Sequence, residues 1–169
     1  MNKKIASLMM AASLMAVAGC AKKEKPQDLP PPPVGAEGPT GPVAPAGPAA
    51  GSQADFIANI SSDRIFFDTD KFDVGTEDQA TLASQAEWLK RYPNVRITIE
   101  GHADERGTRD YNIALGARRA NSAKNALAAL GIDAARINTV SYGKERPEAL
   151  GSTEADWARN RRAVTVTVQ

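Results

Sequence analysis

The 169-residue chain carries 21 basic and 20 acidic side chains, and its net charge of +1 argues against a nucleic-acid-binding protein that relies on a basic surface. Without residues 1–19, which hold two lysines and no acid, 19 basic residues face 20 acidic ones and the net charge becomes −1. The length and the 5% aromatic content allow one ordinary domain with a modest core.

Residues 1–19 have the features of a targeting segment. Lys3 and Lys4 form a positive n-region, residues 5–18 are largely apolar, and small residues precede Cys20. A transmembrane anchor is the weaker interpretation, because the apolar run is shorter than the about 20 residues that a span needs. We therefore predict a signal peptide over residues 1–19.

Cys20 is the only cysteine, so an intramolecular disulfide is excluded. The run Val17-Ala18-Gly19-Cys20 resembles a bacterial lipobox, in which the cysteine becomes the lipidated first residue of the mature protein. The alternative is an ordinary signal peptide that happens to end near a cysteine. In the lipoproteins that this run resembles, an Asp after the cysteine often signals inner-membrane retention. Since Ala21 stands there, the resemblance implies a lipid anchor in the outer membrane.

Residues 20–55 are predicted to form a disordered tether. Nine of the eleven prolines lie between Ala21 and Asp55, separated mainly by Gly, Ala and Ser. Such a segment cannot bury enough apolar surface to offset its ordering entropy. As polyproline II it would reach roughly 110 Å, which lets an anchored domain work away from the membrane.

Residues 56–169 are predicted to form one domain with the element order β-α-β-α-β-α-β. A capping box at residues 76–79 starts the first helix, which Pro93 ends, and Gly131 ends the second. Alternating apolar residues indicate strands near residues 63–67, 95–100, 137–142 and 164–168, and helical spacing indicates helices at 76–92, 109–130 and 153–160. This order predicts an α/β (α+β) two-layer sandwich whose last strand can pair antiparallel.

His102 is the starting point for any enzymatic interpretation, because it is the only histidine. A metal site needs three or four converging ligands, and the domain has no second histidine and no cysteine. No nucleophile motif accompanies His102 either. We interpret it as a packing or hydrogen-bonding residue at a strand end, and predict a non-enzymatic protein with no metal and no cofactor.

The stretch from Gly101 to Asn121 is the strongest candidate for a binding site. Asp104 follows a predicted strand, and the next helix carries Arg118 and Arg119, which project about 100° apart. An acid and a guanidinium together suit a zwitterion with an ammonium and a carboxylate. The turn at residues 68–70 can close one wall of the cleft or be only a turn. The cluster at residues 160–162 can join the site or cap a helix C-terminus.

Four segments together resemble the OmpA-like peptidoglycan-binding domain family. They are FFDTDKFDV (66–74), IEGHADERGTRDYNIALGARRAN (99–121), VSYGKERPEALG (140–151) and ARNRRAVTV (158–166). The resemblance covers almost the whole domain and implies a βαβαβ-type fold with a mixed four-stranded sheet. One departure is Ala117, where the family commonly has Glu before the paired arginines.

The resemblance implies that Asp104 pairs with the ammonium, and Arg119 with the carboxylate, of diaminopimelate in the peptidoglycan stem peptide. By motif position, it implies further site residues, which are Asn112, Leu115, Asp68, Thr69 and Arg162.

The implied function is that of a lipoprotein, anchored at Cys20, that ties the outer membrane to the cell wall from the periplasm. Its implied partners are peptidoglycan and the Tol system, including a TolB-like periplasmic protein, in envelope constriction during cell division. Two alternatives stay open, another wall-anchoring accessory lipoprotein of the OmpA-like group and a lipid-anchored hydrolase.

Overall fold

The computed structural model describes residues 47–168, which form four helices, one 3-10 helix and four strands. The predicted signal peptide, lipidated Cys20 and most of the predicted tether lie outside these residues. In chain order the elements are α1 (Gln53–Asn59), β1 (Arg64–Phe66), α2 (Thr76–Arg91), β2 (Arg96–His102), α3 (Arg109–Ala129), the 3-10 helix (Ala134–Arg136), β3 (Ile137–Gly143), α4 (Glu154–Asn160) and β4 (Arg162–Val168).

The four strands form one mixed sheet in the order β1-β4-β2-β3. β2 and β3 are parallel, while β4 runs antiparallel to both β1 and β2. A parallel pair needs a crossover, and α3 supplies it between β2 and β3. The predicted α/β architecture with a mixed four-stranded sheet is therefore confirmed, including the antiparallel last strand.

The hydrophobic core lies between one face of this sheet and the helices α2 and α3. Ile97 and Ile99 of β2 point to that face, because alternate residues of a strand share one side. They join buried residues of the other elements, among them Ile65, Leu82, Leu89, Ala120, Leu127 and Ala163. The core thus fixes α3 across the end of β2, where the candidate binding residues lie.

The predicted capping box at residues 76–79 is wrong. The N-cap of α2 is Gly75, which has no side chain to accept a hydrogen bond, and Thr76 already lies inside the helix. Asp78, one of the predicted box residues, instead accepts a hydrogen bond from the Phe66 amide on the outer edge of β1. A capping box occurs in α4, where Thr153 and Asp156 bond reciprocally.

Helix α1 was not predicted, and it begins at Gln53, before the expected domain start at residue 56. Ser52 caps its N-terminus. Phe56 is fully buried and packs edge-on against Trp88, with the two ring centroids 4.9 Å apart. Asp55 accepts hydrogen bonds from Trp88 Nε1 at 3.2 Å and from the Gly51 amide at 3.0 Å. These contacts join α1 to α2. Among the described helices, none is both long and apolar enough to cross a membrane.

Gly101 and Gly116 let β2 and α3 approach at the level of the candidate site. A Cβ on Gly101 would overlap the carbonyl oxygen of Gly116, and one on Gly116 would overlap the Ser141 hydroxyl. Only glycine at both positions allows the two backbones to meet. Because Arg119 follows Gly116 by one helical turn, this contact fixes the position of Arg119 beside the C-terminal end of β2.

Replacing Gly101 by alanine should lower the free energy of unfolding by about 1–3 kcal/mol, because the methyl group must push rigid backbone apart. Urea unfolding followed by circular dichroism measures the change. The control is Gly75→Ala, where φ is −67° and the added Cβ meets only the Asp78 carboxylate at 3.3 Å. A loss within about 1 kcal/mol is expected there, and equal losses in both variants would contradict the close-approach argument.

Candidate functional site

A cavity of about 330 Å³ lies where the C-terminal end of β2 meets the first turns of α3. The β1–α2 loop and the β2–α3 loop form its other walls. Five of the seven residues proposed for the site line this cavity, namely Thr69, Asp104, Asn112, Leu115 and Arg119. The remaining lining residues are Asp70, Arg106, Gly107 and Tyr111. Its size suits the end of an amino-acid side chain.

Asp104 is held as a buried, charged carboxylate just beyond β2. It is 7% exposed, and the hydrogen bond from the Ala103 amide to the Gly143 carbonyl fixes the backbone beside it. Burial raises the pKa of Asp104, but the hydrogen bonds and charge of Arg106, together with a hydrogen bond from Arg161, outweigh burial and hold the pKa below its usual value. Asp104 therefore presents a negative charge to the cavity at neutral pH.

The loop that carries Asp104 is fixed from two sides. Asn112 Nδ2 donates to the Arg106 carbonyl at 2.7 Å from α3. Lys144 Nζ, from the loop after β3, donates to the carbonyls of Glu105 at 3.0 Å and Gly107 at 2.7 Å. Since these bonds satisfy loop carbonyls, the carboxylate of Asp104 is positioned before any ligand arrives.

Arg119 is fully buried and joins two backbone segments, the β1–α2 loop and the end of β2. Its guanidinium donates to the carbonyls of Lys71 (Nε, 2.9 Å), His102 (Nη1, 2.8 Å) and Asp68 (Nη2, 3.1 Å). A guanidinium has five N–H groups, so two remain, one on each terminal nitrogen. A carboxylate can accept two N–H groups of a guanidinium in a bidentate pair.

Asp104 and Arg119 face the same cavity without pairing directly. Within residues 47–168 no ion pair of 4.0 Å or less joins them. Burial lowers the pKa of Arg119 to about 10, while the charge of Asp104 acts in the opposite direction. Arg119 is therefore charged at neutral pH, and the cavity presents an anion and a cation to its contents.

Two contacts join the β1–α2 loop to the opposite wall of the cavity, one from the β2–α3 loop and one from α3. Arg106 Nη2 donates to Thr69 Oγ1 at 3.3 Å, and the Tyr111 hydroxyl donates to Asp70 Oδ1 at 3.0 Å. Asp70 has a φ of 56°, which only a few non-glycine residues adopt and which turns its side chain at the tip of the loop. The β1–α2 loop is thus both a wall of the cavity and part of its closure.

Asp68 and Arg162 differ from the other five proposed residues in where they lie. Asp68 supplies its carbonyl to Arg119, while its side chain borders a neighbouring groove of about 670 Å³. Arg162 does not line the cavity. Its Nε lies 3.1 Å from Glu148 Oε2, without the alignment of a hydrogen bond, and its terminal nitrogens face the carbonyls of Asn160 and Arg146.

Arg161, a member of the 160–162 cluster that was not proposed as a site residue, contacts Asp104 instead. Its Nη1 lies 3.5 Å from Asp104 Oδ2, its Nε donates to the Phe67 carbonyl at 3.0 Å, and it is 6% exposed. Strand alternation could have revealed this. Ala163 and Thr165 face the helices, so Arg161 shares their side and Arg162 takes the other.

His102 lies outside the residues that line the cavity. It is 2% exposed, its ring is 5.6 Å from that of Tyr142, and neither ring nitrogen has a hydrogen-bond partner among the described residues. Glu100 Oε2 is 3.6 Å from Nε2. Burial, together with the positive charges of Arg162 and Arg146, lowers the pKa of His102 to about 4. No group of three or more metal-ligating side chains occurs among residues 47–168.

The stability of the domain should depend on the protonation of His102. In the unfolded chain histidine has a pKa of about 6.5, against about 4 in the fold. Because the unfolded chain binds the proton more tightly, stability that is present above pH 6.5 is lost as the pH falls toward 4. Urea unfolding at several pH values should show a smaller loss for His102→Gln than for the wild type. Identical pH profiles would contradict the buried neutral imidazole.

The fold and the site define a class of protein, a two-layer α/β domain with a charged cavity at the end of a central strand. Residues 66–161 match the OmpA family, and the chain belongs to that family.

Individual relatives share one description. The peptidoglycan-associated lipoprotein of Agrobacterium fabrum is 51% identical over 153 residues, which are 90% of this chain and 81% of that protein. The peptidoglycan-associated lipoprotein of Haemophilus influenzae is 37% identical over 97% of this chain and 98% of its own length. The crystal structure of the peptidoglycan-associated lipoprotein from Burkholderia pseudomallei superposes with a TM-score of 0.62 at 45% identity, over 64% of this chain and 92% of that chain.

Proposed function

We propose that this chain is an outer-membrane lipoprotein whose folded domain binds peptidoglycan without covalent attachment and so ties the membrane to the cell wall. Family membership and the names of relatives at 37% to 51% identity support the proposal. The observation that carries it is the cavity itself, where a buried carboxylate and a buried guanidinium face one small space.

The ligand that fits this pair of charges is the side chain of diaminopimelate in the stem peptide. That side chain ends in a carbon bearing both an ammonium and a carboxylate. Asp104 accepts from the ammonium, and the two remaining N–H groups of Arg119 bind the carboxylate. Leu115 and Asn112 form the wall along which the methylene groups lie, with Thr69 and the Asp68 backbone opposite.

Binding is favoured over hydrolysis by the surroundings of His102. A hydrolase would need this residue as a general base within reach of the bound substrate. His102 is buried against Tyr142, does not line the cavity, and stays neutral and weakly basic with a pKa of about 4. Two of the charged groups that line the cavity, Asp104 and Arg119, are already fixed by hydrogen bonds.

The N-terminal segment supplies the membrane half of the proposed link. Cys20 carries the lipid anchor in the outer membrane, and the proline-rich segment before α1 is the tether that reaches the wall. The proposed partners in the periplasm are a TolB-like protein and other Tol components, which act in envelope constriction during cell division. The alternative is an OmpA-like accessory lipoprotein that anchors to the wall for another purpose.

Co-sedimentation of the full chain, purified in detergent, with insoluble peptidoglycan containing diaminopimelate tests the proposal. The chain should pellet with the wall material, and no soluble muropeptides should appear in the supernatant. A chain that stays in solution at saturating peptidoglycan would contradict wall binding. Release of muropeptides that disappears in His102→Gln would instead establish the hydrolase.

A further inference from the structure

Arg106 donates hydrogen bonds to both oxygens of the Asp104 carboxylate. Its backbone amide and its Nε donate to Oδ1 at 3.0 and 3.2 Å, and its Nη2 donates to Oδ2 at 2.7 Å. Arg161 approaches the same Oδ2 at 3.5 Å. A carboxylate accepts about four hydrogen bonds, so these four donors leave no position for the ammonium of a ligand.

Of these four donors, only the side chain of Arg106 is free to leave. The amide belongs to the loop that Lys144 and Asn112 hold, and Arg161 is 6% exposed and bonded to the Phe67 carbonyl. The side chain of Arg106 is 39% exposed at the mouth of the cavity. An incoming ammonium must therefore replace the two bonds that this guanidinium makes.

A second position for the guanidinium already exists beside the first. Arg106 lies over the ring of Trp157, 4.1 Å from its centroid, and its Nη1 is 3.9 Å from Glu154 Oε2. Trp157 is itself fixed by a hydrogen bond from its Nε1 to Glu105 at 2.9 Å. Because Glu154 lies beside the same ring, a shift of the guanidinium from Asp104 toward Glu154 can keep the cation–π contact.

We infer that Arg106 takes the place of the ligand's ammonium. Its guanidinium pairs with Asp104 when no ligand is bound and moves to Glu154 when the ligand binds. This inference rests on the proposed function. Without ligand, Arg106 stabilises the fold because it pairs with a carboxylate that would otherwise be buried and poorly paired. Arg106 competes with the ligand, because only molecules in which Asp104 is free can bind it. The measured Kd is the intrinsic Kd divided by the fraction of such molecules.

The two roles predict effects of opposite sign for Arg106→Gln. Isothermal titration of the full chain in detergent with a stem tripeptide ending in diaminopimelate should give a Kd about threefold to tenfold lower than that of the wild type. The same variant should unfold at a lower temperature without ligand. The matched control is Arg109→Gln, which removes an equal charge nearby from an arginine that pairs with Glu145 outside the cavity, and its Kd should not change.

A double-mutant cycle tests the second position. Glu154→Gln should weaken binding in the presence of Arg106 and have a smaller effect in the Arg106→Gln background. Glu154 also pairs with Arg161, but that contribution is present in both backgrounds and cancels when the two effects are compared.

A Kd for Arg106→Gln that is unchanged or higher would overturn the competitor role while leaving wall binding intact. An equal gain in Arg109→Gln would overturn it too, because general charge would then explain the result. If neither the wild type nor Arg106→Gln binds the tripeptide, the proposed function fails and this inference fails with it.

Discussion

Replacing Arg119 by methionine should lower the free energy of unfolding by about 3–5 kcal/mol, because the side chain is a structural tie as well as a binding group. The variant removes the bonds to the carbonyls of Lys71, His102 and Asp68, of which the one to His102 is fully buried and the other two are partly buried. The Asp68 carbonyl keeps its bond from the Lys71 amide. A buried carbonyl that loses its partner costs about 1–3 kcal/mol, and packing of the methionine recovers part of the loss. Urea unfolding followed by circular dichroism measures the loss.

Arg118→Met is the matched control for this prediction. The neighbouring arginine is exposed, with its guanidinium 5.8 Å from the centroid of the Phe72 ring. Its replacement should change the free energy of unfolding by no more than about 0.5 kcal/mol. Equal effects in the two variants would show that the three carbonyl bonds of Arg119 do not hold the β1–α2 loop.

Replacing Asp104 by asparagine should weaken binding of the diaminopimelate tripeptide roughly 10- to 150-fold, because a charge-assisted hydrogen bond becomes a neutral one. The substitution keeps the shape of the side chain, removes its charge and replaces one acceptor oxygen by an NH2 donor. Isothermal titration measures the change in Kd, and circular dichroism shows whether the fold is kept. Part of the loss is offset, since Arg106 is also released from its strongest partner.

Asp110→Asn serves as the control for Asp104, because it removes one negative charge from an exposed position in the first turn of α3. Its Kd should stay within about twofold of the wild type. If Asp104→Asn kept the fold and bound as tightly as Asp110→Asn, the ammonium would have to be recognised elsewhere.

Local patterns predicted the sheet and the two long helices because their signals are short-range. Ile97 and Ile99 alternate with polar residues, and Gly131 follows the end of α3, so strand and helix could be located without tertiary information. Helix α1 gave no such signal. It has only seven residues next to a proline-rich stretch, and it depends on Phe56 packing against Trp88 far along the chain.

Five of the seven residues proposed from the sequence line one cavity, but their contacts were not predictable. Family motifs pointed to Asp104 and Arg119, and the structure places both at one cavity. The bonds that hold Arg119 come from residues 48 and 51 positions away, which no local pattern encodes. No local pattern distinguishes Arg106 from other surface arginines, and its role is visible only from its distances to Asp104 and Trp157.

Titration of the wild-type chain with two stem tripeptides, one ending in diaminopimelate and one in lysine, tests most directly whether the site recognises a zwitterion. The lysine side chain offers the ammonium for Asp104 but lacks the carboxylate for Arg119. Loss of a charge-assisted pair of about 1.5–3 kcal/mol predicts a Kd at least about tenfold higher for the lysine peptide. Equal dissociation constants for the two peptides would contradict recognition by Asp104 and Arg119 together.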